Sequence, residues 1–231
     1  MEKLEEKINA ACLRSGRRRE DIELMGVTKF QSPETVVEAL GAGLRLFGES
    51  RVQEALKKFS PGSVPHFCDL QKRGEAKLHF IGNLQRNKAG KAADFFDCIQ
   101  SVDRDSLIDE LGALTSTREN PLMILLEYHT GEESKAGFRS RDALFRAAER
   151  VISFPGLLPA GLMTMAPFKA GKAAVRSAFR ELSLAREELL KRFRTFSWDC
   201  LSMGMTEDFE LAIEEGSTLI RIGSALFGEQ D

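Results

Sequence analysis

Eight short β-forming runs recur along this chain, each followed by a segment of helical periodicity. That alternation limits the fold more than any single motif does. The runs fall at residues 22–28, 44–48, 78–82, 98–102, 121–126, 161–165, 196–201 and 217–222. Strands that alternate with helices pair in parallel, with each helix as the crossover. Eight such units in 231 residues predict one α/β domain over 1–231, a compact (β/α)₈ TIM barrel near the short end of the usual range of roughly 200–400 residues. An extra N-terminal helix precedes it, with Leu4, Ile8, Cys12 and Leu13 on one face. A doubly wound open sheet is the other architecture with this alternation. It would carry a Gly-rich fingerprint after the first strand, where this chain has Thr28-Lys-Phe-Gln-Ser32.

Local punctuation sharpens the pattern. Ser32 before Pro33 predicts an N-cap with proline at the first helical position, and the helix closes near Gly41-Ala-Gly43. Asp103 is the expected cap of the helix running through Leu111. Thr206 is the expected cap of a short helix that ends at Gly216.

Composition removes several function classes. The net charge of −2 gives no reason to expect nucleic acid or an anionic membrane as partner. The dense basic run Arg17-Arg18-Arg19 is answered at once by Glu20 and Asp21, and reads as a solvated loop or helix end rather than a phosphate-backbone contact. Cys12, Cys68, Cys98 and Cys200 lack metal-ligand or disulfide-framework spacing, so neither a metal nor a disulfide is expected. The N-terminus is charged from its second residue, unlike a signal peptide, and no apolar run reaches membrane-spanning length. A cytoplasmic monomer is the expectation.

In a TIM barrel the chemistry gathers at the C-terminal ends of the strands. Lys29 ends the first strand on the inward parity of Met25 and Val27, Ser50 follows the second, His79 lies in the third and Arg221 in the eighth. A desolvated lysine becomes a Schiff-base nucleophile toward an aldehyde; a strand-end lysine can equally snorkel to water. Arg221, between Ile220 and Ile222, needs an acceptor. His79 reads as a satisfied core histidine or as a neighbour of a ligand. The last two loops, around Ser202-Met-Gly204 and Gly223-Ser224, either make tight turns or offer N–H groups and hydroxyls to one phosphate. A lysine, a phosphate cup and a buried arginine in one barrel mouth are what pyridoxal 5′-phosphate (PLP) requires.

The same residues carry a family resemblance. Gly26-Val-Thr-Lys29, Leu46-Phe-Gly-Glu49, Val52-Gln-Glu-Ala55, His79-Phe-Ile-Gly-Asn-Leu-Gln85, Asn87-Lys88, Ser101-Val-Asp103, Glu133-Ser-Lys-Ala-Gly137, Gly161-Leu-Met-Thr-Met165, Leu201-Ser-Met-Gly-Met205, Glu215-Gly-Ser217, Arg221-Ile-Gly-Ser224 and Phe227-Gly228 follow one another in the order of a known family. With them the sequence resembles the pyridoxal-phosphate homeostasis proteins, whose barrel is that of the N-terminal domain of alanine racemase. The resemblance implies that Lys29 forms the internal aldimine with PLP. It implies that Ser202, Gly223 and Ser224, with backbone at Met203 and Gly204, hold the phosphate, that Arg221 faces the pyridine nitrogen and that His79 lies near the cofactor. The chain departs from the family at Ser50, where an asparagine is usual after Gly48-Glu49, and at Glu127-Tyr-His-Thr130.

An arginine cannot accept a hydrogen bond, so Arg221 would keep the pyridine nitrogen unprotonated and the ring a weak electron sink. Racemases of this fold add a second domain with a catalytic tyrosine, whereas this chain stops at Asp231 with Tyr128 as its sole tyrosine. The expectation is a PLP carrier that stores, buffers or hands over the cofactor to PLP-dependent apo-enzymes without turnover of its own. A racemase-like amino-acid enzyme is the main alternative, and a lysine aldolase on another phosphorylated metabolite is the third.

Overall fold

The eight runs become eight staves of one closed parallel barrel in the computed structural model, which describes residues 1–131, 136–167 and 169–228. The staves are β1 (Glu23–Val27), β2 (Leu46–Glu49), β3 (Lys77–Phe80), β4 (Cys98–Val102), β5 (Leu122–Glu127), β6 (Leu157–Met163), β7 (Cys200–Ser202) and β8 (Leu219–Ile222). They pair in chain order, and β8 closes on β1 through Glu23–Leu219 to Gly26–Ile222. Closure leaves the barrel no sheet edge to protect.

Helices α1 (Glu2–Ser15), α2 (Pro33–Gly41), α3 (Val52–Lys58), α4 (Pro65–Lys72), α5 (Ala89–Phe95), α6 (Asp105–Leu114), α7 (Arg141–Ile152), α8 (Lys172–Arg192), α9 (Phe209–Glu214) and α10 (Ser224–Phe227) are the α-helices among the described residues. The Ser32 hydroxyl accepts from Thr35 N–H at the start of α2, with Pro33 inside the first turn. Helix α1 packs Leu4, Ile8, Ala11 and Cys12 against Phe209, Ile213, Ile220 and Ile222. Leu13, expected on that face, points to solvent at 82% exposure, because four successive turns cannot bring both Cys12 and its neighbour onto one narrow stripe.

Several boundaries differ from expectation for local reasons. Helix α4 has no counterpart in the sequence reading; it is short and starts at Pro65 within the β2–β3 connection. Strand β6 begins at Leu157, ahead of the expected start, with Pro159 absorbed where the β5–β6 register shifts between Ile124 and Leu125. Strand β7 is only three residues long, since Trp198 takes a left-handed φ of 50° just before it. Asp103 does not cap α6: Arg104 stands at the cap, and the Asp103 carboxylate binds the Arg104 guanidinium instead. Asp208, not Thr206, is the cap of α9, its carboxylate accepting from Met205 N–H at 2.6 Å.

Between β2 and helices α3 and α4, Phe67 meets Phe47 and Phe59 edge to face, the Phe59 and Phe67 centroids 4.8 Å apart, while Phe47 and Phe59 are tilted against each other. All three are fully buried. Truncating Phe59 to alanine should therefore cost about 3–5 kcal/mol of folding stability. Urea denaturation that shows a loss below about 1 kcal/mol would contradict this packing role.

Candidate functional site

Lys29 stands two residues beyond β1, exposed at the barrel mouth, with no hydrogen bond or ion pair to the described residues. Its turn is fixed from below. Gln31 N–H donates to Thr28 carbonyl at 2.9 Å, and Phe30 takes a left-handed φ of 66°. The same carbonyl accepts from the Lys58 ammonium at 2.5 Å. Lys58 also pairs with Glu49 Oε1 at 2.7 Å, and the Thr28 hydroxyl donates to that oxygen at 2.7 Å. Glu49 and Lys58 are both buried, on the outer side of the barrel wall facing α3. A strand carboxylate and a helix ammonium thus clamp the turn that presents Lys29. The exposed Phe30 ring carries the Arg51 guanidinium 5.5 Å from its centroid.

Inside the barrel, four side chains join end to end. Arg221 on β8 is buried and donates from one amino group to Ser202 Oγ at 2.7 Å and from the other to Thr164 carbonyl at 2.9 Å. Ser202 on β7 donates to Gln100 Oε1 at 2.6 Å. Gln100 on β4 meets His79 Nδ1 on β3 at 2.9 Å. Burial pulls the Arg221 pKa below its ordinary value, while Asp208 and Glu127 act the other way and favour the charge. Burial, helped by Lys77, holds His79 down to about 3, so the imidazole is neutral. His79 Nε2 is buried without a hydrogen-bond partner among the described residues.

The last two loops meet above Arg221. Gly204 has a φ of 96°, and a Cβ there would lie 2.6 Å from the Ala212 Cβ, so only glycine fits. Its carbonyl accepts from Arg221 N–H at 2.9 Å. The N–H groups of Gly204, Gly223 and Ser224 make no hydrogen bond to the described residues. Gly223 combines φ −110° with ψ −86°, a backbone conformation outside the regions open to residues with a Cβ, although a Cβ there would meet nothing nearer than Val27 at 3.7 Å. Ser224 Oγ donates to Thr206 Oγ1 at 3.3 Å, placing two hydroxyls beside those N–H groups.

Two residues expected at the phosphate lie elsewhere. The Ser202 hydroxyl is fully buried and spent between Arg221 and Gln100. Met203 donates its N–H to Leu219 carbonyl and buries its side chain in the outer core. The inward parity of β7 takes Ser202 into the barrel, and Thr206, four residues on, supplies the hydroxyl beside Ser224.

Ser50 is half-buried after β2 and lines a groove of about 380 Å³ with Arg51, Gln53, Asn83, Gln85 and Lys88. Its backbone rests on Gly82, where a Cβ would lie 2.1 Å from the Ser50 carbonyl oxygen. The segment 132–135, which includes most of Glu133-Ser-Lys-Ala-Gly137, lies outside the described residues. Tyr128 turns away from the mouth and donates to Glu181 on α8 at 3.1 Å. Cys98 and Cys200 are raised far above the ordinary thiol range by burial, the latter to about 12, which keeps them protonated.

The sequence reading missed Gln100, Thr206 and the Glu49–Lys58 pair. A polar residue inside the apolar run 98–102, at the inward parity of Cys98, was the available signal for Gln100.

Two measurements test this arrangement. Lys58→Met strands the buried Glu49 carboxylate and should cost about 3–5 kcal/mol, while the double change with Glu49→Leu should recover most of it. A double variant no more stable than the single one would contradict the clamp. His79 binds a proton near its ordinary 6.5 when unfolded and only near 3 when folded. Its contribution is therefore full above pH 6.5 and falls with pH below that, by about 1.4 kcal/mol per pH unit. His79→Gln should flatten the stability profile between pH 6.5 and 4 by that amount, and an unchanged slope would show that His79 titrates normally.

The geometry has close parallels. The alanine racemase N-terminal domain model matches residues 5–231. The pyridoxal phosphate homeostasis protein of Vibrio cholerae is 35% identical over 100% of this chain and 95% of its own length. That of Aquifex aeolicus is 36% identical over 97% of this chain and 94% of its own. Among solved structures, PipY of Synechococcus elongatus with PLP bound superposes with a TM-score of 0.79 at 31% identity, covering 96% of this chain and 99% of PipY. An alanine racemase of Clostridium difficile, at 9% identity and a TM-score of 0.73, covers 97% of this chain but only 55% of the racemase, and shares the fold. The chain belongs to the pyridoxal phosphate homeostasis protein family, built on the alanine racemase N-terminal barrel.

Proposed function

We propose that this protein binds PLP at the barrel mouth and holds it in reserve, through Lys29, without catalytic turnover of its own. The observation that carries the reading is the set of unspent groups around one mouth: the Lys29 amine and the N–H groups of Gly204, Gly223 and Ser224, all above a buried Arg221.

Bound PLP supplies an aldehyde that condenses reversibly with a lysine amine. Lys29 presents that amine from a turn clamped by Lys58 and Glu49. The three N–H groups, with Thr206 and Ser224, bind the phosphate. Arg221 orients the ring by facing its nitrogen and, having no acceptor, keeps a proton off it. PipY, of the same fold and 31% identical, has been solved with PLP bound.

The absence of turnover rests on proton inventory. Tyr128, the single tyrosine, is held by Glu181 and raised to about 12 by burial and that carboxylate. His79 carries no removable charge near neutral pH. Neither can pass a proton to and from a substrate carbon in the way a racemase needs. The protein in this reading is a cytoplasmic monomer that yields PLP to apo-enzymes, and no helix among the described residues is long and apolar enough to cross a membrane.

Purified protein incubated with PLP should develop a visible absorption band that borohydride makes permanent, and Lys29→Ala should show neither. In deuterated water, alanine should keep its α-proton. A protein that stays colourless contradicts PLP binding, and α-proton exchange at enzymatic rates contradicts the reservoir.

A further inference from the structure

The chain of side chains across the barrel has a direction, and that direction fixes where the His79 proton sits. Arg221 can only donate, so Ser202 Oγ is an acceptor on that side. The single Ser202 proton then goes to Gln100, which must turn its carbonyl oxygen toward the serine. The Gln100 amide NH₂ is left facing His79 Nδ1, 2.9 Å away. The opposite amide orientation would set NH₂ against a serine oxygen whose proton had no acceptor. Nδ1 therefore accepts, and the imidazole carries its proton on Nε2.

That Nε2–H is a buried donor with no partner among the described residues, in a ring only 5% exposed. An unmet buried donor is costly and rare in folded proteins. His79 is level with Gly48 across β2–β3, and Gly48 is level with Val27 across β1–β2. Val27 is the residue beside Gly223 of the phosphate cup. His79 thus lies in the barrel layer directly beneath the mouth. The charged groups that bear on it are Lys77 on its own strand and Arg221 at the far end of the chain of bonds.

Pyridoxal phosphate has four polar features: aldehyde, phosphate, ring nitrogen and phenolic oxygen. The first three are matched by Lys29, the cup and Arg221. We propose that His79 Nε2–H donates to the remaining one, the phenolate oxygen, and that Gln100 is the positioning residue that keeps the proton on Nε2. This assignment rests on the PLP reading above. It makes Arg221 act at two places: directly at the ring nitrogen and, through Ser202 and Gln100, on the donor at the phenolate.

The test has two arms. In the protein without PLP, ¹⁵N NMR of histidine side chains should show His79 as a neutral Nε2–H tautomer that does not titrate from pH 5 to 8. Gln100→Glu puts a carboxylate against Nδ1, so the proton should move there or the ring should become charged. A wild-type His79 protonated on Nδ1, or titrating near 6.5, overturns the relay whatever the ligand does. In the second arm PLP is added. The Nε2–H resonance should shift with PLP and stay put with inorganic phosphate alone, which fills the cup without a ring. His79→Phe should weaken PLP about tenfold, the worth of one hydrogen bond to an anion. His79→Gln, whose amide can donate from a similar place, should recover most of that loss. PLP bound with an unmoved resonance overturns the phenolate assignment alone. A failure to bind PLP at all, with the tautomer as expected, overturns the PLP reading and the assignment together.

Discussion

A guanidinium buried in the interior of the barrel governs this structure. It cannot shed its charge easily and cannot accept a hydrogen bond, so every neighbour must turn an acceptor toward it. Arg221 finds Ser202 Oγ and the Thr164 carbonyl. Ser202 then has one direction left for its proton, Gln100 one orientation for its amide, and His79 one nitrogen for its hydrogen. Strands β8, β7, β4 and β3 are tied across the barrel by a chain whose polarity is set at one end. The same guanidinium lies beneath the cup made by Gly204, Gly223 and Ser224, so what orders the interior also orders the site.

A second device works on the outside of the wall. Glu49 and Lys58 form a buried pair whose worth lies less in net stability than in geometry, because a lone buried charge costs far more than the pair gains. Lys58 spends one of its bonds on the Thr28 carbonyl, which belongs to the turn that carries Lys29. The turn includes Phe30 at positive φ, a conformation that a bulky residue keeps only when its surroundings enforce it. The amine is exposed while the root of its turn is held, an arrangement that suits the aldehyde-binding role proposed for Lys29.

The barrel was legible in the sequence because period-two runs and helical runs alternate with little ambiguity, and closure follows from their number. Caps were legible where the chemistry was local and unopposed, as at Ser32 and Pro33. They were misread at Asp103, whose carboxylate turns to the guanidinium of its neighbour Arg104, and at Thr206, whose hydroxyl is taken by the distant Ser224. The two Gly-Ser loops of the mouth were legible, yet Ser202, expected at a phosphate, spends its hydroxyl inside the barrel between Arg221 and Gln100. Strand parity decides which way a side chain points, and the strand there is only three residues long, too short to announce its phase. Gln100 and the Glu49–Lys58 pair were invisible for a different reason. Each depends on partners that only the closed barrel brings together, His79 and Ser202 for Gln100 and a residue on the following helix for Glu49, and no spacing rule in a single sequence links them.

The central claim is that Lys29 is the covalent anchor for PLP in this mouth. Reduction of the PLP-loaded protein with borohydride, followed by proteolysis and peptide mass spectrometry, reads it directly. The account predicts one modified peptide, the one that contains Lys29, with Lys58 unmodified because its ammonium is buried and paired. A modification spread over surface lysines, or centred on any residue other than Lys29, would contradict it.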